Sequence, residues 1–225
     1  EIEDIPIIIH TYKRACMSKL ADEVYVCTDS FQIIEVCKKY KANFIKTKST
    51  HKNGTERIAE AAKKLNLRNN DLIIDVQGDE PLINPNDIDK TLNFYNKKNF
   101  EIVVPHIKFN LKNKGNVVKL LINEKNRIMW MTRADAPYSF NNSNTVLSKH
   151  LSIIVFNYKS LVKYSKFKRS KFEKIESVEL LRAIENNMIL GSNPIKSNSF
   201  SVDVIEDFIK AKKFLKKDKI KDKYM

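Results

Sequence analysis

Asp71-Leu72-Ile73-Ile74-Asp75-Val76-Gln77-Gly78-Asp79-Glu80-Pro81 is the stretch on which the reading of the fold turns. Four of its first six residues are bulky and apolar, the composition of a strand covered on both faces. The run then breaks into a turn carrying Asp79 and Glu80, and Asn84-Pro85-Asn86-Asp87 follows as helix cap, opening proline and first-turn acid. Strand, acidic turn and helix in succession are the building unit of an α/β sheet. A carboxylate just beyond the carboxyl end of a central parallel strand stands where open α/β sheets bind ligands.

The same alternation extends toward the N-terminus. Ile7 to about Leu20 reads as a helix, Glu23 to Thr28 as a strand, Asp29 as the cap of a helix bearing Ile33, Val36, Cys37 and Tyr40, and Asn43 to Ile45 as a strand. A strong helix is expected from about Thr55 to Leu65, with Ile58, Ala61, Ala62 and Leu65 on its buried face. This pattern predicts an α/β, mostly parallel sheet with helices on both faces. Downstream, strands are expected at Ile102 to Ile107, Asn116 to Ile122, Ile128 to Thr132, His150 to Asn157 and Ile195 to Ser197. The 116–132 pair reads as an antiparallel hairpin excursion, and Phe140 to Thr145 as a loop. Helices are expected at Tyr158 to Tyr164, Ser170 to Asn187 and Ile205 to Lys217. No internal repeat or interdomain linker stands out, so one domain over 1–225 is expected.

The chain has 225 residues, with 41 Lys and Arg against 27 Asp and Glu, a formal charge of +14. Such an excess favours anionic partners. It does not point to nucleic acid, because the cations are nearly all Lys scattered through Asn-rich stretches, without a basic-aromatic stripe or a reading motif. No apolar run approaches the roughly 18 residues needed to span a bilayer. The beginning, Glu1-Ile2-Glu3-Asp4, has no basic leader or cleavage site, so no secretion signal is expected. Cys16, Cys27 and Cys37 lack metal-like spacing and read as free thiols of a reducing compartment.

Three features can carry chemistry. Asp79 can hold a magnesium on a nucleoside triphosphate, since Mg²⁺ favours one or two carboxylates together with phosphate oxygens. The bland reading is a turn former. Asp203 follows a short β-like run; it is either a second carboxylate for the same cation or a cap for the last helix. Gly54-Thr55-Glu56-Arg57 opens a helix whose free N–H groups suit an anion or a base carbonyl, or it is an ordinary helix entry.

Taken in order, Asn53-Gly54-Thr55-Glu56-Arg57-Ile58-Ala59-Glu60, Val76 to Pro81, Asn116-Val117-Val118-Lys119, Thr132-Arg133-Ala134 with Pro137, His150-Leu151-Ser152-Ile153, Glu176-Ser177-Val178-Glu179 with Leu181-Arg182, and Val202-Asp203 resemble the 3-deoxy-manno-octulosonate cytidylyltransferase family. The resemblance covers almost the whole chain. It implies a Rossmann-like nucleotidyltransferase fold and transfer of CMP from CTP to a 3-deoxy-2-keto sugar acid, with release of pyrophosphate, in lipopolysaccharide biosynthesis. Asp79 and Asp203 match the two Mg²⁺-binding aspartates. Gly54, Thr55, Arg57, Gln77 and Gly78 match the nucleotide side of the cleft; Arg133, His150 and Glu179 look like members of the sugar-acid site.

Further expectations from the resemblance are a cytoplasmic homodimer, with 108–157 containing the hairpin, subunit contact and part of the sugar site. The sequence departs from the family at two places. The first strand and basic Gly/Pro phosphate loop of the family are expected upstream of Glu1, so the chain as written is expected to lack them. Leu180 stands where the family has glutamine, which is expected to alter recognition of sugar hydroxyls. A cytidylyltransferase for another sialic-acid-like sugar, and an inactive nucleotide-binding fragment or interaction protein, therefore stay open as alternatives.

Overall fold

The computed structural model describes residues 1–110, 115–140 and 146–225. In chain order its first elements are α1 (Ile7–Ala15), β1 (Val26–Thr28), α2 (Phe31–Lys39), β2 (Phe44–Lys46), α3 (Gly54–Lys64), β3 (Leu72–Val76) and α4 (Pro85–Lys97). There follow β4 (Ile102–Val103), β5 (His106–Phe109), β6 (Lys119–Ile122), β7 (Ile128–Thr132), β8 (Leu147–His150) and β9 (Ile153–Asn157). The rest are α5 (Tyr158–Ser165), α6 (Lys171–Glu176), α7 (Leu181–Glu185), β10 (Leu190–Gly191), α8 (Ile205–Leu215) and a short 3₁₀ turn at Lys221–Lys223.

The chain divides into two compact units interleaved in sequence, with the division falling inside β3 and α4. One comprises Glu1–Leu67, Asp75–Leu92 and Ser197–Met225; the other comprises Arg68–Ile74 and Asn93–Lys196. In the first unit β1 and β2 pair in parallel. Ile9, Val26, Cys37 and Ala42 form one core there, and Ile2, Ala211 and Leu215 another. The second unit contains the sheet β10-β4-β9-β3, in which β10 and β4 are parallel and β4 and β9 antiparallel, and the wholly antiparallel sheet β5-β8-β6-β7. β9 shows why its sequence is uninterruptedly apolar: Ile153, Ile154, Val155 and Phe156 are all buried. Each such side chain contributes roughly 1.5–3 kcal/mol relative to exposure. β10 needs Gly191, because a Cβ there would meet the Phe100 ring at 2.2 Å.

The α/β class and the parallel pairs follow the expectation from sequence, while several boundaries move. The strand expected over Ile102 to Ile107 is two strands in different sheets, parted at Pro105, which has no N–H for a ladder. The strand expected from His150 likewise divides, and His150 closes β8 rather than opening β9. With β5 and β8 added, the antiparallel excursion is a four-stranded sheet and not only the β6–β7 hairpin. The helix expected over Ser170 to Asn187 breaks at Ser177, which takes a left-handed conformation with φ 51°. Ser30, not Asp29, caps α2. Ile195 to Ser197 forms no strand; the strand in that region is β10. The loop expected at Phe140 to Thr145 lies, from residue 141 onward, outside the described residues.

Candidate active site

In the first unit, β3 delivers the turn Gln77 to Pro81 at its carboxyl end. Thr11 Oγ1 donates to Gly78 O at 3.1 Å, and Glu80 N donates to Gln77 O at 3.3 Å, which fixes the turn against α1. A Cβ on Gly78 would come within 2.6 Å of Ile8 Cδ1, so the turn lies close against α1 and a larger residue would have to displace the tip of that side chain. Val202 N donates to Asp79 O at 3.0 Å, so the segment leading to Asp203 runs beside the turn. Burial, and then the charges of Glu80 and Asp203, raise the Asp79 carboxyl above its ordinary range, against the pull of its own backbone N–H. The two acids, 124 positions apart by their numbers, are thus electrostatic neighbours. Asp79 Oδ1 is buried with no hydrogen-bond partner among the described residues. Asp203 does not cap α8: Val204 holds that position without a side-chain cap, and Asp203 is exposed.

These observations fit a divalent cation shared with a ligand. A buried carboxylate oxygen without a donor, beside a second carboxylate, lacks the positive charge or hydrogen bond that would stabilise it. Among the described residues no group of three His, Cys, Asp or Glu side chains could hold a metal by itself. The donor set therefore suits a hard cation that brings phosphate oxygens and water, as Mg²⁺ does.

The glycine segment stands at the same unit's α3. Asn53 Oδ1 accepts from Glu56 N at 2.9 Å and caps the helix, and Gly54 is its first residue. A Cβ on Gly54 would meet Gln77 Nε2 at 3.1 Å, so the helix entry and the β3 turn are brought together. Gln77 Nε2 lies 3.3 Å from both carboxylate oxygens of the buried Asp75. Thr55 is fully buried, and its Oγ1 has no hydrogen-bond partner among the described residues. Arg57 pairs with Asp29 at 2.7 Å and donates to Thr47 Oγ1 at 2.6 Å. Its guanidinium therefore ties α3 to the ends of β1 and β2. Cys27 offers no nucleophile: burial and the charge of Asp75 push its thiol up to about 12.

Arg133, His150, Glu179 and Leu180 belong to the second unit. Arg133 spends its guanidinium on main-chain oxygens: Nε donates to Glu176 O at 2.7 Å, one terminal nitrogen to Gly115 O and Asn116 O, and the other to Ser177 O. Its backbone N–H donates to Glu176 Oε2 at 2.8 Å, and Thr132 Oγ1 to Glu176 Oε1 at 2.7 Å. The buried Lys119 donates to Arg133 O at 2.5 Å and pairs with Asp135 at 3.1 Å. His150 Nε2 is buried and has no hydrogen-bond partner among the described residues. Burial, with the positive charges of Lys149 and Arg133, lowers the His150 imidazole to about 4. Tyr164 Oη donates to Glu179 O at 2.9 Å, and the Glu179 side chain is half-buried. Leu180 is only 1% exposed, so its side chain packs in the interior of its unit.

A family model described as "Cytidylyltransferase" matches residues 1–195. The chain belongs to the cytidylyltransferase family. It is 32% identical to 3-deoxy-manno-octulosonate cytidylyltransferase of Thermodesulfovibrio yellowstonii, over 95% of this chain and 89% of the relative. Identity is 34% to the protein of the same name in a Nitratiruptor species, over 93% and 89%. An 8-amino-3,8-dideoxy-manno-octulosonate cytidylyltransferase of a Shewanella species is 29% identical over 93% and 88%. Among solved structures, a CMP:2-keto-3-deoxy-manno-octonic acid synthetase complexed with CTP superposes with a TM-score of 0.89 at 24% identity, over 96% of this chain and 90% of that one. That likeness shows the shared fold.

In this cytidylyltransferase, then, one unit brings together Asp79, Asp203, Gln77, Gly78, Gly54 and Thr55, and the other holds Arg133, His150, Glu179 and Leu180. Glu80, Asp75, Lys119 and Glu176 carry no role that the sequence alone signals. Glu80 and Glu176 lie inside the family's motifs, but their serine, threonine and main-chain partners are distant in sequence, and no local pattern announces such bonds.

Proposed function

We propose that this cytidylyltransferase transfers CMP from CTP to a 3-deoxy-2-keto sugar acid, 3-deoxy-manno-octulosonate or its 8-amino analogue, with release of pyrophosphate. The observation that carries the reading is the pairing of Asp79, with its buried lone oxygen, and Asp203 in one electrostatic neighbourhood at the end of β3. The names of the relatives supply the sugar class, and the CTP complex of the similar structure supplies the nucleotide.

Asp79 and Asp203 would hold Mg²⁺, which when bound supplies charge stabilisation at the phosphate and orients the attacking oxygen. Gly54 and Gly78, lacking side chains, let the entry of α3 and the β3 turn pack against Gln77 and Ile8, which keeps the backbone of both segments at the nucleotide side of the site. Thr55 Oγ1 and the Gln77 amide are the polar groups offered beside it. Arg57 acts through Asp29 and Thr47, keeping the entry of α3 in place. The sugar's anomeric hydroxyl attacks the α-phosphorus and loses its proton to solvent while the bond from that phosphorus to the departing pyrophosphate breaks; negative charge grows on the phosphate and leaving oxygens, and groups fixed before the reaction stabilise it without reorganising.

His150, kept neutral, offers a hydrogen bond to a sugar hydroxyl rather than a charge. Arg133 contributes its field and the shape of the turn, with four main-chain acceptors already on its guanidinium. Leu180 would influence the sugar only by packing. Self-association into a homodimer is part of the same proposal, supported by exposed Met129, Phe172 and Ile175 in the second unit. Free thiols accord with a cytoplasmic setting, and among the described residues no helix is long and apolar enough to cross a membrane.

The test is pyrophosphate release from Mg²⁺, CTP and a panel of 2-keto-3-deoxy acids. Asp79→Asn removes a ligand charge worth several kcal/mol at the transition state, so turnover should fall at least about 100-fold with the unfolding midpoint retained. Undiminished turnover in that variant would refute the role.

A further inference from the structure

Glu80 follows Asp79 directly and is 2% exposed. A carboxylate so far from water persists only when its oxygens are hydrogen-bonded. Oε2 accepts from Ser199 Oγ at 2.5 Å, and Oε1 lies 3.5 Å from Ser201 Oγ. Both serines precede Asp203 on the segment that bonds to Asp79 O through Val202 N. The turn itself has other supports, because Thr11 donates to Gly78 O, Glu80 N to Gln77 O and Ile83 N to Glu80 O. The Glu80 side chain therefore adds little to the shape of its own turn; its bonds all reach across to the 199–203 segment. On the far side of that segment, the N-cap residue of α8, Val204, makes no side-chain cap, and Asp203 is anchored among the described residues by its N–H to Asp207 at 3.3 Å.

We infer that Glu80 is a positioning residue for the two-acid centre: by clasping Ser199 and Ser201 it fixes the segment carrying Asp203 beside Asp79, and so sets the separation of the two cation-holding carboxylates. The inference rests on the reading of Asp79 and Asp203 as that pair. Glu80 itself does not touch the ligand, since both its oxygens face the serines. Outer groups of this kind cost roughly 10- to 100-fold in metal affinity when removed.

Binding of the Mn²⁺–CTP complex, followed by water-proton relaxation, tests it on the full chain at a temperature where every variant is folded. Wild type, Asp79→Asn, Glu80→Ala, Glu80→Gln and the double variant Ser199→Ala/Ser201→Ala are compared. Glu80→Ala and the serine double variant should each weaken binding about tenfold or more, and should raise the Mg²⁺ concentration for half-maximal turnover in parallel. Glu80→Gln, which keeps an acceptor and the length, should recover most of the affinity. A purely structural role would lower the unfolding midpoint and leave the affinity of the folded protein alone; that result overturns the inference. Should Glu80→Ala fail to fold, the serine double variant decides. Failure of the wild type to bind, or full binding by Asp79→Asn, strikes instead at the two-acid reading beneath it.

Discussion

His150 illustrates what a single residue's surroundings do to its chemistry. Its ring nitrogen Nε2 is buried, and Lys149 and Arg133 stand near enough to oppose a second positive charge, so its pKa falls from 6.5 to about 4. Between those values the unfolded chain carries a proton that the native chain does not, and stability must rise with pH across that window. Acidification from pH 6.5 toward 4 therefore costs stability, and the loss is complete below the folded value. His10 and His106 are lowered by burial as well and share the sign. In His150→Gln the slope of the urea midpoint against pH should become shallower between pH 6.5 and 4. An unaltered slope would mean that the ring is solvated in the native protein.

At the scale of elements, the 170–185 region is decided by one buried ion pair. Arg182 donates to both oxygens of Glu173 at 2.8 and 2.6 Å, and the two residues are 1% and 2% exposed. Glu173 also accepts from Ser170 N, completing a capping box at the start of α6. The pair spans the break at Ser177 and so holds two short helices in the arrangement that presents Glu179. Neither α6 nor α7, with 6 and 5 residues, would be stable in isolation. Removing one buried partner takes away the main compensation of the other charge, Arg169 being a second and more exposed partner of Glu173 at 3.3 Å. Glu173→Gln is therefore expected to cost roughly 3–5 kcal/mol in chemical denaturation, and Glu173→Met/Arg182→Met less than the sum of its single variants. Simple additivity would show that the two charges do not interact. Glu173, Glu176 and Glu179 recur at every third position inside the stretch expected from sequence to be a single helix. The structure gives them three different tasks: an ion pair with Arg182, a brace for Thr132 and Arg133, and a half-buried acid past the break.

For the whole molecule, the dominant property is the charge of +14. Much of it lies on exposed lysines, whose field extends only about 8 Å at physiological ionic strength. It raises the local concentration of anionic substrates without contacting them. The KM for CTP should then rise with added NaCl at fixed free Mg²⁺ while kcat changes little, as steady-state kinetics can measure. A KM indifferent to salt would confine the electrostatics to the site itself.

The sequence by itself determined the α/β class, the order of the long elements and the family, because each is written in local signals: apolar periodicity, caps, and motif blocks in a fixed order. α4 begins at Pro85 and the α3 helix starts at Gly54, within a residue or so of their signals. Only the tertiary structure decided that Val204 rather than Asp203 takes the N-cap position of α8, that Arg57 and Arg133 are bound to protein oxygens, that Leu180 faces the interior, and that Glu80 reaches Ser199. The physical reason is range. A cap or a turn is settled by neighbours a few positions away. The fate of a buried charge or a lone donor is settled by whichever group the folded chain places against it, as Ser199 is placed against Glu80 from 119 positions away.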